Sequence, residues 1–174
     1  YKRQDSPAPN PEGEQRWVET LHPYYDEFGA DPSASPEGPS RKPFDADCAA
    51  VLAQFQPAVV SFHYGLPEAS LLDRVKATGA TVLSSATTVE EALWLQAHGA
   101  DAVIAQGLEA GGHRGHFLSD DLSRQQGTFS LLPQVADAVS IPVIAAGGIA
   151  SPAGVRAAMA LGATAVQVGT AYLH

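Results

Sequence analysis

The densest chemistry in the sequence lies in one run, Gln106-Gly107-Leu108-Glu109-Ala110-Gly111-Gly112-His113-Arg114-Gly115-His116. Here His113 carries the side chain that accepts a proton near neutral pH without unusual tuning, which makes it the candidate general base. Gln106 offers both a donor and an acceptor, a pair suited to the edge of a heteroaromatic ring. Gly107, Gly111, Gly112 and Gly115 cost conformational entropy, and a loop keeps such residues where backbone must approach a ligand closely. A flexible surface turn with an incidental histidine is an equally balanced reading of the run alone. Glu109, His113 and His116, with Asp120 near, also have ligand-like spacing. A metal site needs several converging, supported ligands, however, and would leave the glycines without a purpose, so no metal is expected.

Two further glycine pairs suggest an anion site. IPVIAAGGIASPAG carries Gly147-Gly148 just before a helix start, with Ser151 as N-cap and Pro152 in the first turn. VQVGTA ends the next apolar run in Gly169-Thr170. Bare amides at successive strand ends beside a helix N-terminus point N–H groups at a phosphate. His63 closes the run PAVVSFH and could reach the same face, although a packed strand-end histidine is the favoured reading. Ser84 and Ser85 could meet a ligand or satisfy backbone. Trp94 is expected to cover the sheet, and Cys48 to be inert. Arg114 could neutralise an anionic substrate or pair with Asp120 or Asp121. Neither a Ser-His-Asp order nor a Walker loop is present.

These residues need elements to position them. Apolar runs at 57–63, 80–86, 100–107, 141–148 and 163–173 are short and nearly continuous, as in parallel strands covered on both faces. Helix-period segments lie between them. Thr88 with Glu91 is a capping-box signature, and Val89, Ala92, Leu93 and Ala97 follow on one face. Gly79, Gly99 and Gly162 each follow a helix and precede Ala and a strand, the position of a left-handed glycine that ends a helix. Right-handed crossovers make such a βα repeat parallel. A doubly wound sheet and a (β/α)8 (TIM) barrel both satisfy the periodicity. Phosphate-type loops after the last two strands favour the barrel, whereas a dinucleotide fold wants G-x-G-x-x-G after its first strand, and none is present. The five strands are therefore expected to be the last five (fourth to eighth) of an α/β barrel.

Residues 1–56 differ in character. Eight of the 13 prolines precede Phe44, and most of this acidic stretch reads as irregular chain, an excursion before the barrel portion at 57–174. A break is expected at Trp17–Phe28, where Trp17, Val18, Leu21, Tyr24, Tyr25 and Phe28 could anchor it to a core. The net charge of −9 argues against nucleic acid. No apolar run approaches a membrane span, and a single cysteine fits a reducing cytoplasm. At 174 residues one domain is the default, yet a full barrel takes about 250, so a longer protein is expected.

With VVSFHYGLP, TVLSSATTVEEA, DAVIAQGLEAGGHRGHF, IPVIAAGGIA and AVQVGTAYL in this order, the sequence from Pro57 to His174 resembles the nitronate monooxygenase family, formerly 2-nitropropane dioxygenases. The resemblance implies an FMN-dependent (β/α)8 barrel flavoprotein that oxidises alkyl nitronates, and neutral nitroalkanes, with O2 to a carbonyl compound and nitrite. It implies His113 as the catalytic base. Gln106 and Gly111 would contact the flavin, Gly147-Gly148 would form one phosphate loop, and Gln167, Val168, Gly169 and Thr170 the other. The family's first three strands and its segment after the last strand have no counterpart in this sequence. Related flavin barrels, NAD(P)H:quinone reductases and flavin-type enoyl reductases, share these motifs. A non-catalytic phosphate-binding domain is the alternative from another class.

Overall fold

The computed structural model describes residues 10–34 and 43–173. The irregular chain expected at 1–9 and 35–42 lies outside them. The chain divides into two compact units, one ending at Pro43 and one beginning at Phe44.

In the first unit the described residues form helix α1 (Pro11–Phe28), where irregular chain is the expectation for most of the stretch. Local chemistry explains it. Asn10 Oδ1 accepts from the Gly13 amide at 3.0 Å, Pro11 takes the first-turn position, and Gly29 closes the helix at φ +60°. The turn-forming residues thus punctuate a helix, although Pro23 sits inside it. Trp17, Leu21, Tyr24 and Phe28 line one side of α1, and none of the helix's residues is buried.

The second unit holds helix α2 (Ala46–Phe55), then β1 (Val59–Phe62), α3 (Ala69–Lys76), β2 (Thr81–Ala86), α4 (Val89–Ala97), β3 (Ala102–Gln106), α5 (Thr128–Ala138), β4 (Val143–Ala146), α6 (Pro152–Ala160) and β5 (Ala165–Gln167). The sheet is wholly parallel and runs in sequence order, with β3 in the middle. Each expected strand is found, shortened at its ends. The last run yields only three strand residues because β5 pairs on one side and a 3₁₀ turn (Thr170–Tyr172) takes its end. Helix α2 falls inside the stretch expected as excursion. It is capped by Asp45 Oδ1, which accepts from the Asp47 and Cys48 amides, and it buries Ala49.

Strand parity sorts the side chains. Val82 and Ala86, Val103 and Ala105, and Val143 and Ala145 turn to the helices, where they join a core with Val75, Leu95, Leu131, Leu132 and Val135. The alternate residues Ser61, Leu83, Ile104, Ile144 and Ala165 face the other way. That second face is closed at β3, every residue of which is buried, and opens toward the edges, with Val59 52 % exposed on β1 and Ala165 exposed on β5. Each edge strand has one neighbour, so these five strands form an open arc of the barrel architecture.

The helix signals hold. Thr88 Oγ1 accepts from the Glu91 amide at 3.2 Å, and Ser151 Oγ from the Gly154 amide at 3.1 Å, with Pro152 following. Gly79, Gly99 and Gly162 have φ of +84°, +98° and +100°, and the alanine after each is buried. The three differ in their surroundings. An added Cβ at Gly79 meets nothing within 4 Å, whereas at Gly162 it meets the Ala136 Cβ at 2.8 Å. Gly79→Ala is therefore expected to cost about 1 kcal/mol, the left-handed penalty alone, and Gly162→Ala about 2 kcal/mol or more through added overpacking. Urea unfolding of the two variants checks this, and equal losses would contradict it.

Candidate functional site

In a parallel sheet every C-terminal strand end lies on one edge, so His63, Thr87, Gly107, Gly147 and Val168 begin five loops side by side. The last residue of β3, Gln106, is level with Ala146, which is level with Gln167. Gln106 and Gln167 therefore belong to one row on the face turned away from the helices.

Between β3 and α5 the chain runs through 107–127 with little regular structure, one 3₁₀ turn (Leu122–Arg124) apart. Side chains hold it. Gln106 Nε2 donates to the His113 carbonyl at 2.9 Å, and its Oε1 accepts from the Gly115 amide at 2.7 Å. The Gln106 carboxamide, expected to meet a heteroaromatic ring, thus spends one hydrogen and one lone pair on the loop and retains one of each. Arg114 Nη1 donates to the Gly107 carbonyl at 2.7 Å and its Nη2 to the Ala110 carbonyl, so its guanidinium folds the loop back on itself.

Glu109 is engaged as well. Its Oε2 accepts from the Thr128 amide at 2.7 Å at the start of α5, and lies 2.9 Å from the Thr128 hydroxyl. Burial raises the carboxyl's pKa, but these two donors and the Arg114 charge outweigh it and hold Glu109 below its ordinary value. The Thr128 hydroxyl is also 2.9 Å from the Gly147 carbonyl, and its single hydrogen serves one acceptor at a time. With Glu109 turned to Thr128, the ligand-like spacing of Glu109, His113 and His116 does not become a ligand set. Among the described residues no three His, Cys, Asp or Glu side chains gather as metal ligands.

The glycines divide by what surrounds them. An added Cβ at Gly107 meets Thr128 Oγ1 at 2.1 Å, and at Gly115 it meets the His63 ring at 2.8 Å and Ser85 Cβ at 2.9 Å. Those two allow the protein to pack against itself. At Gly112 and Gly169 the same position is open. Gly111 lies between these cases, since its Cβ would stand 2.7 Å from Thr170 Oγ1, and this brings the loop after β3 to the end of β5. Gly147 and Gly148 adopt φ of +121° and +66°, a turn that L side chains rarely make, directly before α6.

His113 is exposed, and its backbone rather than its ring is clamped: the carbonyl also accepts from His63 Nε2 at 3.1 Å. His63, read from sequence as a packed strand end, is therefore part of the loop's support. Because a carbonyl only accepts, Nε2 of His63 carries hydrogen, which leaves Nδ1 to accept from the Ser85 hydroxyl at 3.1 Å. Ser84 instead donates to the Gly65 carbonyl at 2.7 Å. Trp94 stacks on His98 at 3.8 Å and meets Phe117 edge-on at 5.1 Å, so it covers the loop's exit.

Sequence reasoning did not single out two residues the site depends on, Thr128 and Glu91. The Glu91 carboxylate is buried and reaches across to Thr87, Phe117 and Leu118. Thr88-x-x-Glu91 reads only as a local cap, whereas these partners come mostly from the fold.

A parallel βα array with its polar and glycine-rich residues on the C-terminal strand ends is the architecture of α/β-barrel enzymes. The profile described as nitronate monooxygenase matches residues 15–174. A nitronate monooxygenase of Paraburkholderia phytofirmans is 46 % identical over 162 residues, covering 92 % of this chain and 44 % of its own length. Among solved structures, a nitroalkane oxidase from Streptomyces ansochromogenes matches with a TM-score of 0.83 and 40 % identity, over 96 % of this chain and 48 % of that one. A FabK mutant from Thermotoga maritima matches with a TM-score of 0.66 and 39 % identity, over 76 % of this chain and 41 % of that one. This chain belongs to the nitronate monooxygenase family. It spans about half the length of the relatives it matches. Among the described residues no helix is long and apolar enough to cross a membrane.

His63 gives the site a testable pH signature. Partial burial pushes its imidazole pKa below the ordinary value, and nearby His113 acts in the same direction, against the hydrogen bond to the His113 carbonyl. The unfolded chain then binds the proton more readily, so this contribution to stability is complete above about pH 6.5 and is lost as pH falls through the lower native value. The His63 ring is expected to titrate by NMR below the free imidazole value, and His63→Gln to flatten the acid limb of stability. A midpoint at or above the ordinary value would contradict this burial and this tautomer.

Proposed function

We propose that the protein of which this chain forms part is an FMN-dependent nitronate monooxygenase that converts alkyl nitronates, and neutral nitroalkanes, with O2 into a carbonyl compound and nitrite. The observation that carries this reading is the arrangement of the loop after β3. The His113 carbonyl is fixed by Gln106 and His63 while its side chain stays exposed on the edge where the glycine-rich strand ends lie.

The chain's residues suit the cofactor. Gly147-Gly148, with positive φ before a helix N-terminus, and Gln167, Val168, Gly169 and Thr170 would hold the phosphate. Gly169 and Gly112 leave open space, and Gly111 stands close to Thr170, so backbone can approach a ligand from both loops. Gly111 and the remaining hydrogen and lone pair of Gln106 would serve the flavin ring. When bound, FMN supplies the redox chemistry between substrate and oxygen.

His113 has the task that the flavin cannot perform. Its neutral imidazole would take the acidic α-proton of a nitroalkane, and the clamp on its backbone restricts where the ring can reach. A nitronate arrives already deprotonated and needs no base. Arg114 is committed to carbonyls of its own loop, so the guanidinium is not the main partner of the substrate anion. A cytoplasmic setting belongs to the same proposal, supported by a sequence with one cysteine.

The purified protein is expected to be yellow and to bleach on anaerobic addition of a nitronate. His113→Asn is expected to lower turnover of a neutral nitroalkane by about 100-fold or more while nitronate turnover falls far less. A colourless protein would favour the non-catalytic phosphate-binding reading. Anaerobic reduction by NADH and not by a nitronate would move the assignment to another flavin barrel. Wild-type turnover of the nitroalkane in His113→Asn would remove the base.

A further inference from the structure

We propose that Glu91 is a positioning residue for His113, holding from α4 the point where the catalytic loop leaves the site. This rests on the reading of His113 as the base.

Glu91 is 1 % exposed, and its carboxylate accepts from four neutral donors. Oε2 takes the Thr87 amide at 2.7 Å and the Thr87 hydroxyl at 2.8 Å, at the end of β2. Oε1 takes the Phe117 amide at 2.6 Å and the Leu118 amide at 3.2 Å. Burying a carboxylate is costly unless its acceptor sites are filled, and capping α4 does not require it, because Thr88 already accepts from the Glu91 amide. The reach to Phe117 and Leu118 joins the loops after β2 and β3 across 26 and 27 residues of sequence. One helical turn on, Trp94 meets the Phe117 ring edge-on, so α4 holds Phe117 by main chain and by side chain.

The consequence for His113 follows the chain. Its carbonyl is held by Gln106 and His63, the Gly115 amide by Gln106, and the Phe117 and Leu118 amides by Glu91. The segment 113–118 is thus pinned at residues 113, 115, 117 and 118. Gly115 has no room to shift toward β1 or β2, since the His63 ring and Ser85 stand where its Cβ would be. Releasing the last pin frees the exit of the loop and leaves His113 held from one side only, by Gln106 and His63, so the main chain that carries its ring is less closely fixed.

The test compares the full protein with Glu91→Asp, which retreats by one methylene, and Glu91→Gln. The Gln carboxamide can point its carbonyl at Phe117 and Leu118 and its NH2 at the Thr87 hydroxyl. The Thr87 amide loses its acceptor, but both bonds to the loop after β3 are kept, so that loop should stay in place. In the wild type, the Phe117 and Leu118 amides are expected to exchange hydrogen at least about tenfold more slowly than unprotected amides of the same sequence. In Glu91→Asp, exchange over 113–118 should rise by about tenfold or more while β2 and β3 keep their protection, and Glu91→Gln should stay within about threefold of wild type. Turnover of a neutral nitroalkane by Glu91→Asp should fall about tenfold in kcat, with nitronate turnover changed less than about threefold. Unprotected Phe117 and Leu118 amides in the wild type would overturn the proposal, even if neither variant folds. So would wild-type exchange over 113–118 in Glu91→Asp, or loss of protection in β2 and β3 together with the loop. Selective loosening of the loop with both substrates slowed equally would leave Glu91 as the anchor and remove His113 as the base.

Discussion

A chain segment with no ladder or helix of its own must still satisfy its backbone polar groups, and the loop after β3 is governed by that constraint. Some of its donors meet backbone carbonyls, as at Leu108 and Ala110, and others of its polar groups are met by side chains, several of them ionisable or able to bond at both ends. Arg114 takes the carbonyls of Gly107 and Ala110, Gln106 and His63 take that of His113, and Glu91 takes the amides of Phe117 and Leu118. Charge-assisted bonds are shorter and stronger than neutral ones, so a few of them can order a glycine-containing loop despite its conformational entropy. The parallel sheet makes this possible by bringing residues from β1, β2 and β3 to one edge.

How much of this was legible follows from the range of each interaction. The caps at Thr88 and Ser151 and the left-handed glycines at 79, 99 and 162 are decided within a few residues, and the structure has them where the spacing places them. The strands were legible because burial on both faces leaves nearly unbroken apolar runs, most fully in β3. In the first part of the chain, proline density suggested irregularity, yet Asn10, Pro11 and Gly29 supply start and stop signals for a helix. There the composition of the stretch was a poorer guide than the position of each proline.

The site residues divide along the same line. The run from Gln106 to His116 stood out because its unusual residue types are adjacent. Glu91 and Thr128 did not, because Glu91 acts on Phe117 and Leu118 and Thr128 on Glu109 and Gly147, at separations of 19 residues or more. A capping-box glutamate usually reaches back to the N-cap amide. In this chain the carboxylate lies one residue further back, on Thr87, and is shared with another loop. Only the fold supplies the second set of donors that makes such burial tolerable.

Spending charged groups on backbone also shapes what the edge can bind. Glu109, whose side chain lies against Gly148, is held by Thr128, and Arg114 by two carbonyls, so both charges are engaged by the protein itself. On the proposed function, attraction for a phosphate would fall to backbone amides near Gly147, Gly148 and Gly169 and to the N-terminal end of α6, which are fixed dipoles and need no side chain to be ordered. His113 is exposed and held at its carbonyl by Gln106 and His63. On the proposed function, backbone for binding and a side chain for proton transfer would arise from the same arrangement: the charges are used to build the loop, which would leave the chemistry to His113.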